Sequence, residues 1–235
     1  MLLHTNDRGF AGNVMMDGFW EIWLTQFFAR TLKPGMRVID VGANYGYYTM
    51  LFADIVTPAG GVLAVEPNPS AVPLLRQSVS LNGFAAHTQI VEAALGAEPE
   101  GTAQLIVPDG EPKNAHLPEA GEYVGNALTV RLTSLDHLAS DFGPIDMIKI
   151  DAEGSEIDII AGMQGLLRSA PPALMLEFNT KRYRESAGFL NTLLDVYGNV
   201  AAIDFDGQAK PVTADTVLTT RRNEDWLLYF SPAQG

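Results

Sequence analysis

The chain has 235 residues, a formal net charge of −13 and no cysteine, with 47% hydrophobic and 18% charged residues. This is the composition of one globular domain. It excludes disulfides and thiolate chemistry, disfavours phosphate backbones and anionic membranes as partners, and contains no apolar run of the roughly 18 residues that a membrane span needs.

In chain order, Trp20, Trp23, Leu24, Phe27 and Phe28 recur at three- and four-residue spacing. They predict one amphipathic helix over 13–33, with Asp17 as N-cap and Pro34-Gly35 as its stop. Its aromatic stripe is read as core, and residues 1–33 as an N-terminal arm and helix. The run 38–41 predicts the first strand, followed by a glycine turn and a helix through Met50, Leu51 and Ile55. Strand two is 61–65, a helix covers 70–81, and strand three is 89–96. Such β-α-β-α-β alternation specifies a parallel sheet with right-handed crossovers. Residues 97–132 interrupt it with an inserted β-hairpin, strands 101–107 and 127–132, around a long loop over 108–125. A loop of that length is expected to act as a lid or acceptor-recognition element. Strand four follows at 146–151, a helix at 155–168, strand five at 173–178 and a helix at 191–197. The runs 200–205 and 226–230 close the fold as an antiparallel pair, with Asp206-Gly207 as a hairpin signal. No linker divides the chain, so 1–235 reads as a single α/β domain.

The turn after strand one carries the chemistry. Asp40, Gly42 and Gly46 form D-x-G-x-x-x-G, while Asn44 and Tyr47 occupy positions where a dinucleotide fingerprint requires glycine. A carboxylate there repels a pyrophosphate and suits the ammonium of S-adenosylmethionine. At the tip of strand two, Glu66 is placed to reach ribose hydroxyls, with Pro67 and Asn68 beside it. Ala93 leaves room for a flat adenine. The predicted cofactor set is therefore Asp40, Gly42, Ala43, Asn44, Gly46, Thr49, Glu66, Pro67, Asn68 and Ala93.

The turn 40–49 and the later segment Ile148-Lys149-Ile150-Asp151-Ala152-Glu153-Gly154-Ser155-Glu156, with Leu135-Asp136 ahead of strand four, resemble the FkbM-type S-adenosylmethionine-dependent methyltransferases. The resemblance runs from about residue 20 to about 179. It implies a class I methyltransferase fold: a doubly wound, mostly parallel, Rossmann-like sheet of seven strands ending in an antiparallel pair. It also implies O-methylation of a hydroxyl on a sugar or natural product, with a small-molecule acceptor; the absence of cysteine fits a cytoplasmic location, where the methyl donor is made.

Asp40, Glu66, Asp151 and Glu177 each end a different predicted strand, where open parallel sheets bind ligands. Deprotonating a hydroxyl requires a base or a metal. Asp151 and Glu153 are the candidate bases; Lys149, sharing a face with Asp151 by two-residue alternation, is the orienting partner or a base itself. Alternatively Asp151, Glu177 and Asn179 offer oxygen ligands for Mg²⁺, an arrangement similar to catechol-type O-methyltransferases. Glu156 is expected to stabilise the dipole of the following helix, and His116 to ride on the lid. Two rival readings stay open: a non-catalytic S-adenosylmethionine-binding module, against which the acids after strand four argue, and a nicotinamide-dependent oxidoreductase, against which Asp40 and the missing glycines argue.

Overall fold

The computed structural model describes residues 1–232, apart from 6, 8, 119–124 and 222–223. The arm forms α1 (Ala11–Asp17) and α2 (Ile22–Thr31). Alternating units follow: β1 (Arg37–Val41), α3 (Tyr47–Val56), β2 (Gly61–Val65), α4 (Val72–Leu81) and β3 (Thr88–Val91). The insertion holds β4 (Ala94–Leu95), β5 (Glu100–Leu105) and β6 (Leu128–Thr133). Then come α5 (Leu135–Phe142), β7 (Met147–Ile150), α6 (Glu156–Ala161), α7 (Gln164–Ser169), β8 (Ala173–Phe178) and α8 (Ser186–Tyr197). The chain closes with β9 (Ala201–Ile203), β10 (Ala209–Pro211), α9 (Ala214–Thr219) and β11 (Trp226–Phe230).

The main sheet has the order β10-β9-β11-β8-β7-β1-β2-β3. From β8 to β3 the neighbours are parallel; β11 runs antiparallel to both β8 and β9, and β10 antiparallel to β9. Eight strands replace the expected seven because the Asp206-Gly207 turn returns the chain as β10. Gly207 has φ 69°, the left-handed conformation such a hairpin needs.

Strand alternation assigns the two layers. Ile39, Val41, Ile148, Ile150, Leu174 and Leu176 face the layer containing Phe142, Ile159 and Leu190. Val38, Met147 and Met175 face Phe28 and Phe52 on the other side, where α2 and α3 pack. Asp40 and Lys149 belong to this second face by the period of two, and they are direct partners across the β1–β7 ladder.

Three sequence expectations are corrected. The single helix over 13–33 is two helices, because Gly18 at φ 78° ends α1 and Asp17 closes that helix instead of capping the next. The helix over 155–168 breaks at Gly162, where a Cβ would stand 2.0 Å from the Gly96 carbonyl oxygen; the small sheet presses on the helix there. Strand three stops at Val91, and Ala94-Leu95 leave the main sheet to pair with β6. β5 and β6 pair antiparallel from Glu100↔Thr133 to Leu105↔Leu128, forming a separate sheet of order β4-β6-β5.

Candidate active site

The turn after β1 folds back onto β2, with the Gly42 and Ala43 amides both donating to the Val65 carbonyl at 3.1 Å. Gly42 has φ 72°, and a Cβ there would stand 1.8 Å from the backbone oxygen of Asp151. The turn is therefore pressed against the chain leaving β7, and only glycine fits. Asn44, also left-handed at φ 51°, donates its amide to Glu66 Oε2 at 2.7 Å, while the Asn68 amide donates to Glu66 Oε1 at 2.8 Å. Each carboxylate oxygen keeps one lone pair for a ligand. Burial pushes the Glu66 carboxyl up to about 7 against the pull of those two amides.

Gly42, Ala43, Asn44, Glu66, Pro67 and Ala93 line one cavity together with Lys149, Asp151 and Glu153. The other four predicted cofactor residues stand behind its wall. Asp40 is fully buried; its Oδ2 accepts from the Thr49 hydroxyl at 2.6 Å and its Oδ1 lies 3.3 Å from Lys149 Nζ. Its two oxygens are thus committed inside the sheet, and its predicted contact with a ligand ammonium is replaced by one with Lys149. Gly46 makes room for Leu75, whose Cδ1 lies 2.4 Å from where a Cβ would stand. Asn68 accepts from the Ser70 amide and hydroxyl, and its Nδ2 donates to the Pro112 carbonyl at 3.3 Å. It pins the described part of the predicted lid, a 3₁₀ turn (Pro112–Asn114) and a bridge between Ile106 and His116. The loop's residues 119–124 lie outside the described set.

Asp151 sits at the end of β7, 3.7 Å from Lys149 Nζ. Lys149 also donates to the Val41 carbonyl at 3.3 Å, and its ammonium lies 5.3 Å from the Tyr48 ring centre. Its carboxylate neighbours keep its pKa raised despite complete burial, which opposes them. The loop beyond Asp151 is held from beneath. Glu156 accepts from the amides of Ala152 (3.1 Å) and Gly154 (3.2 Å), and Tyr183 donates to its other oxygen at 2.9 Å. That buried carboxylate secures the loop carrying Asp151 and Glu153, a larger task than the expected helix-dipole role. Glu153 is itself left-handed at φ 50°, strain of the sort that gathers at functional sites. Burial and Asp151 push its carboxyl above the ordinary range.

Arg182 is a site residue that the sequence hid within a short basic run. Its guanidinium pairs with Glu177, with Glu153 at 3.3 Å and with Asp225 at 3.4 Å. A second cavity lies along this group and shares Lys113, His116 and Glu153 with the first. The predicted magnesium set is not assembled. Arg182 donates to Glu177; Asn179 Nδ2 donates to Asp225, and its Oδ1 accepts the Lys181 amide. Among the described residues no group of three or more His, Cys, Asp or Glu side chains is placed to hold an ion. Phe10 and Trp20 also line the first cavity, with ring centres 5.0 Å apart; Trp20, expected in the core, packs against the cluster around Phe28 and Phe52 as well. Leu135-Asp136, part of the family resemblance, has a structural use: Asp136 accepts from the Gly165 and Leu166 amides at the start of α7.

A mostly parallel sheet, a glycine turn after β1, an acid after β2 and an acidic loop after β7 define a class I methyltransferase fold. The methyltransferase FkbM domain matches residues 40–201, and the chain belongs to that family. A methyltransferase FkbM structure from Methylobacillus flagellatus KT aligns with a TM-score of 0.55 at 17% identity, over 88% of this chain and 47% of that one. The precorrin-6y C5,15-methyltransferase of Geobacter metallireducens aligns with a TM-score of 0.50 at 12% identity, over 91% and 88%. Among curated relatives, a protein-L-isoaspartate O-methyltransferase of Aeropyrum pernix is 38% identical over 72 residues, 31% of this chain and 26% of its own length. The AMB antimetabolite synthetase AmbE of Pseudomonas aeruginosa is 26% identical over 218 residues, 76% of this chain and 10% of its own length. The chain thus spans about a quarter and a tenth of these two relatives.

Proposed function

We propose that the chain transfers the methyl group of S-adenosylmethionine to a hydroxyl of a small molecule, a sugar or a natural product. The observation that carries this reading is one cavity lined by Glu66, which follows β2, and by Asp151 and Glu153, which follow β7. Its residues suit the cofactor. Glu66 keeps lone pairs for ribose hydroxyls, Ala93 and Pro67 offer small and flat walls, and the Gly42 backbone leaves the approach clear.

S-adenosylmethionine, when bound, supplies an electrophilic sulfonium methyl. The chain's own part is to position the acceptor and take its proton. Holding reactants in line supplies much of the rate in such transfers. Asp151 is the proposed proton acceptor, Lys149 its positioning partner and Glu153 the second carboxylate facing both cavities. The Mg²⁺ alternative is set aside, because Glu177 and Asn179 are engaged with Arg182, Asp225 and the Lys181 amide. A small acceptor also agrees with a net charge of −13, which repels nucleic acid. No described helix is long and apolar enough to cross a membrane, and the absence of cysteine fits the cytoplasmic location proposed.

Calorimetric titration with S-adenosylmethionine, with NAD in parallel, tests the cofactor; an acceptor screen reading S-adenosylhomocysteine then tests the reaction. Binding of the methyl donor alone is expected. Binding of NAD instead would replace this reading with the oxidoreductase. Donor binding with no turnover on any hydroxylated acceptor would favour the non-catalytic module.

A further inference from the structure

The face of the sheet that carries Lys149 holds one carboxylate that neither the sequence nor the fold's chemistry required. Glu21 belongs to the N-terminal arm, at the residue before α2, in a left-handed conformation with φ 40°. For a non-glycine residue that conformation is strained. The side chain is turned inward, and Tyr48 donates its hydroxyl to Glu21 Oε2 at 2.8 Å. The same tyrosine lies beneath the Lys149 ammonium, and Lys149 in turn holds Asp40 and Asp151. Glu21, Tyr48, Lys149 and Asp151 thus form one chain of contacts running from the arm to the candidate base.

Charge makes this chain informative. Lys149 is one cation facing three carboxylates, those of Asp40, Asp151 and Glu21. Asp40 is fully buried, paired with Lys149 and bonded to Thr49, and Asp151 borders the cavity. Glu21 is half-buried, and burial and the Asp151 charge push its carboxyl up, while Tyr48, Lys149 and Lys113 pull it down. Beyond Asp151, Glu153 and Glu177 with their partner Arg182 complete the charged surroundings, and burial first, then Asp151, pushes both carboxyls up.

We propose that Glu21 is a positioning residue for methyl transfer, holding Tyr48 beneath Lys149 and so fixing the ammonium that pairs with Asp151. This rests on the methyl-transfer reading. As the new carbon–oxygen bond forms and the carbon–sulfur bond breaks, the acceptor hydroxyl proton passes to Asp151. Lys149, held over Tyr48, stays paired with Asp151 as that proton arrives. The arm is in this way part of the reaction chemistry as well as the packing.

The test needs no acceptor. Carboxyl carbons of glutamate are labelled with ¹³C and titrated by NMR in the full chain, with Glu21→Gln identifying the Glu21 signal. The Glu21 midpoint is expected above the ordinary glutamate range, and Asp151→Asn, which keeps the side-chain volume, should lower it by about one pH unit. Tyr48→Phe, which removes a hydrogen bond favouring the charged form, should raise it. A Glu21 midpoint that Asp151→Asn or Tyr48→Phe leaves unmoved would overturn the proposal, since the chain of contacts from Glu21 through Tyr48 to Asp151 would then not exist. Adding S-adenosylmethionine to the same samples separates the two readings. Donor binding without Glu21–Asp151 coupling overturns this inference alone; failure to bind the donor overturns the methyl-transfer reading and this inference with it.

Discussion

On one side of the cavity Glu66 is held by backbone amides 22 and 2 residues away in the chain. On the other side Lys149 reaches a carbonyl 108 residues away, and Arg182 gathers carboxylates from the loop after β7, from β8 and from the segment before β11. Both sides place acids beyond the carboxyl ends of parallel strands, yet they are secured by different means. The Glu66 side is a turn whose geometry two glycines and one acid determine. The Asp151 side is a set of long-range ion pairs, which depends on the whole sheet having closed.

The strongest way to break the comparison is at Lys149. Lys149→Met should leave the Asp40 carboxylate buried without its cation, costing about 3–5 kcal/mol. Urea denaturation would read this, and Lys149→Met combined with Asp40→Asn should recover much of the loss. A single variant as stable as the parent would show that Asp40 is not charged in the fold. Next comes the Glu66 side. Gly42→Ala places a methyl on the Asp151 carbonyl and demands a positive φ, costing roughly 2–4 kcal/mol by strain and overpacking. Loss of S-adenosylmethionine binding is expected to accompany the drop in melting temperature, because the turn and the Asp151 loop share that contact.

A gentler probe is pH. Burial pushes the Glu66 carboxyl up to about 7, and in the proposed reading ribose hydroxyls would donate to its ionised form. Below that point its protonated form opposes binding, so affinity for S-adenosylmethionine should weaken by up to about tenfold per pH unit as pH falls. Above it the affinity should level off. Calorimetry at pH 6, 7 and 8 checks this, and Glu66→Gln should flatten the profile; a profile already flat in the parent protein would show that Glu66 does not meet the donor in its charged form. The smallest effect serves as the control. Thr213 caps α9 by accepting the Thr216 amide, so Thr213→Ala should cost about 1 kcal/mol and leave cofactor affinity as it was.

The same contrast explains what the sequence made legible. The β1-β2-β3 order, the glycine turn and Glu66 follow from short-range pattern, since each can be read from residues within the first β-α-β-α-β segment. Pattern also placed Lys149 and Asp151 on one face. It did not show that Asp40 turns inward to Lys149, because the β1–β7 register is a tertiary fact. Arg182 lay in a basic run of ordinary appearance, and Glu21 at a helix start that periodicity had placed inside a longer helix. The same pairings that concealed Arg182 removed the magnesium site, since a cation was already present as a side chain. The split of the third strand between two sheets was equally hidden: Glu92-Ala93 give no sign that the chain changes partners there.

The closeness of Gly42 to the Asp151 carbonyl also bears on how the molecule is made. The turn is synthesised early, but one of its walls is more than a hundred residues downstream. Contacts this distant along the chain slow folding, because a long loop must close before they form. During synthesis the first three parallel strands emerge without β7, which later fills the gap on the other side of β1, and the turn has only half its surroundings. A fragment ending before β7 should therefore keep the glycine motif and yet be unable to hold the donor, so that ligand binding marks the completion of the sheet.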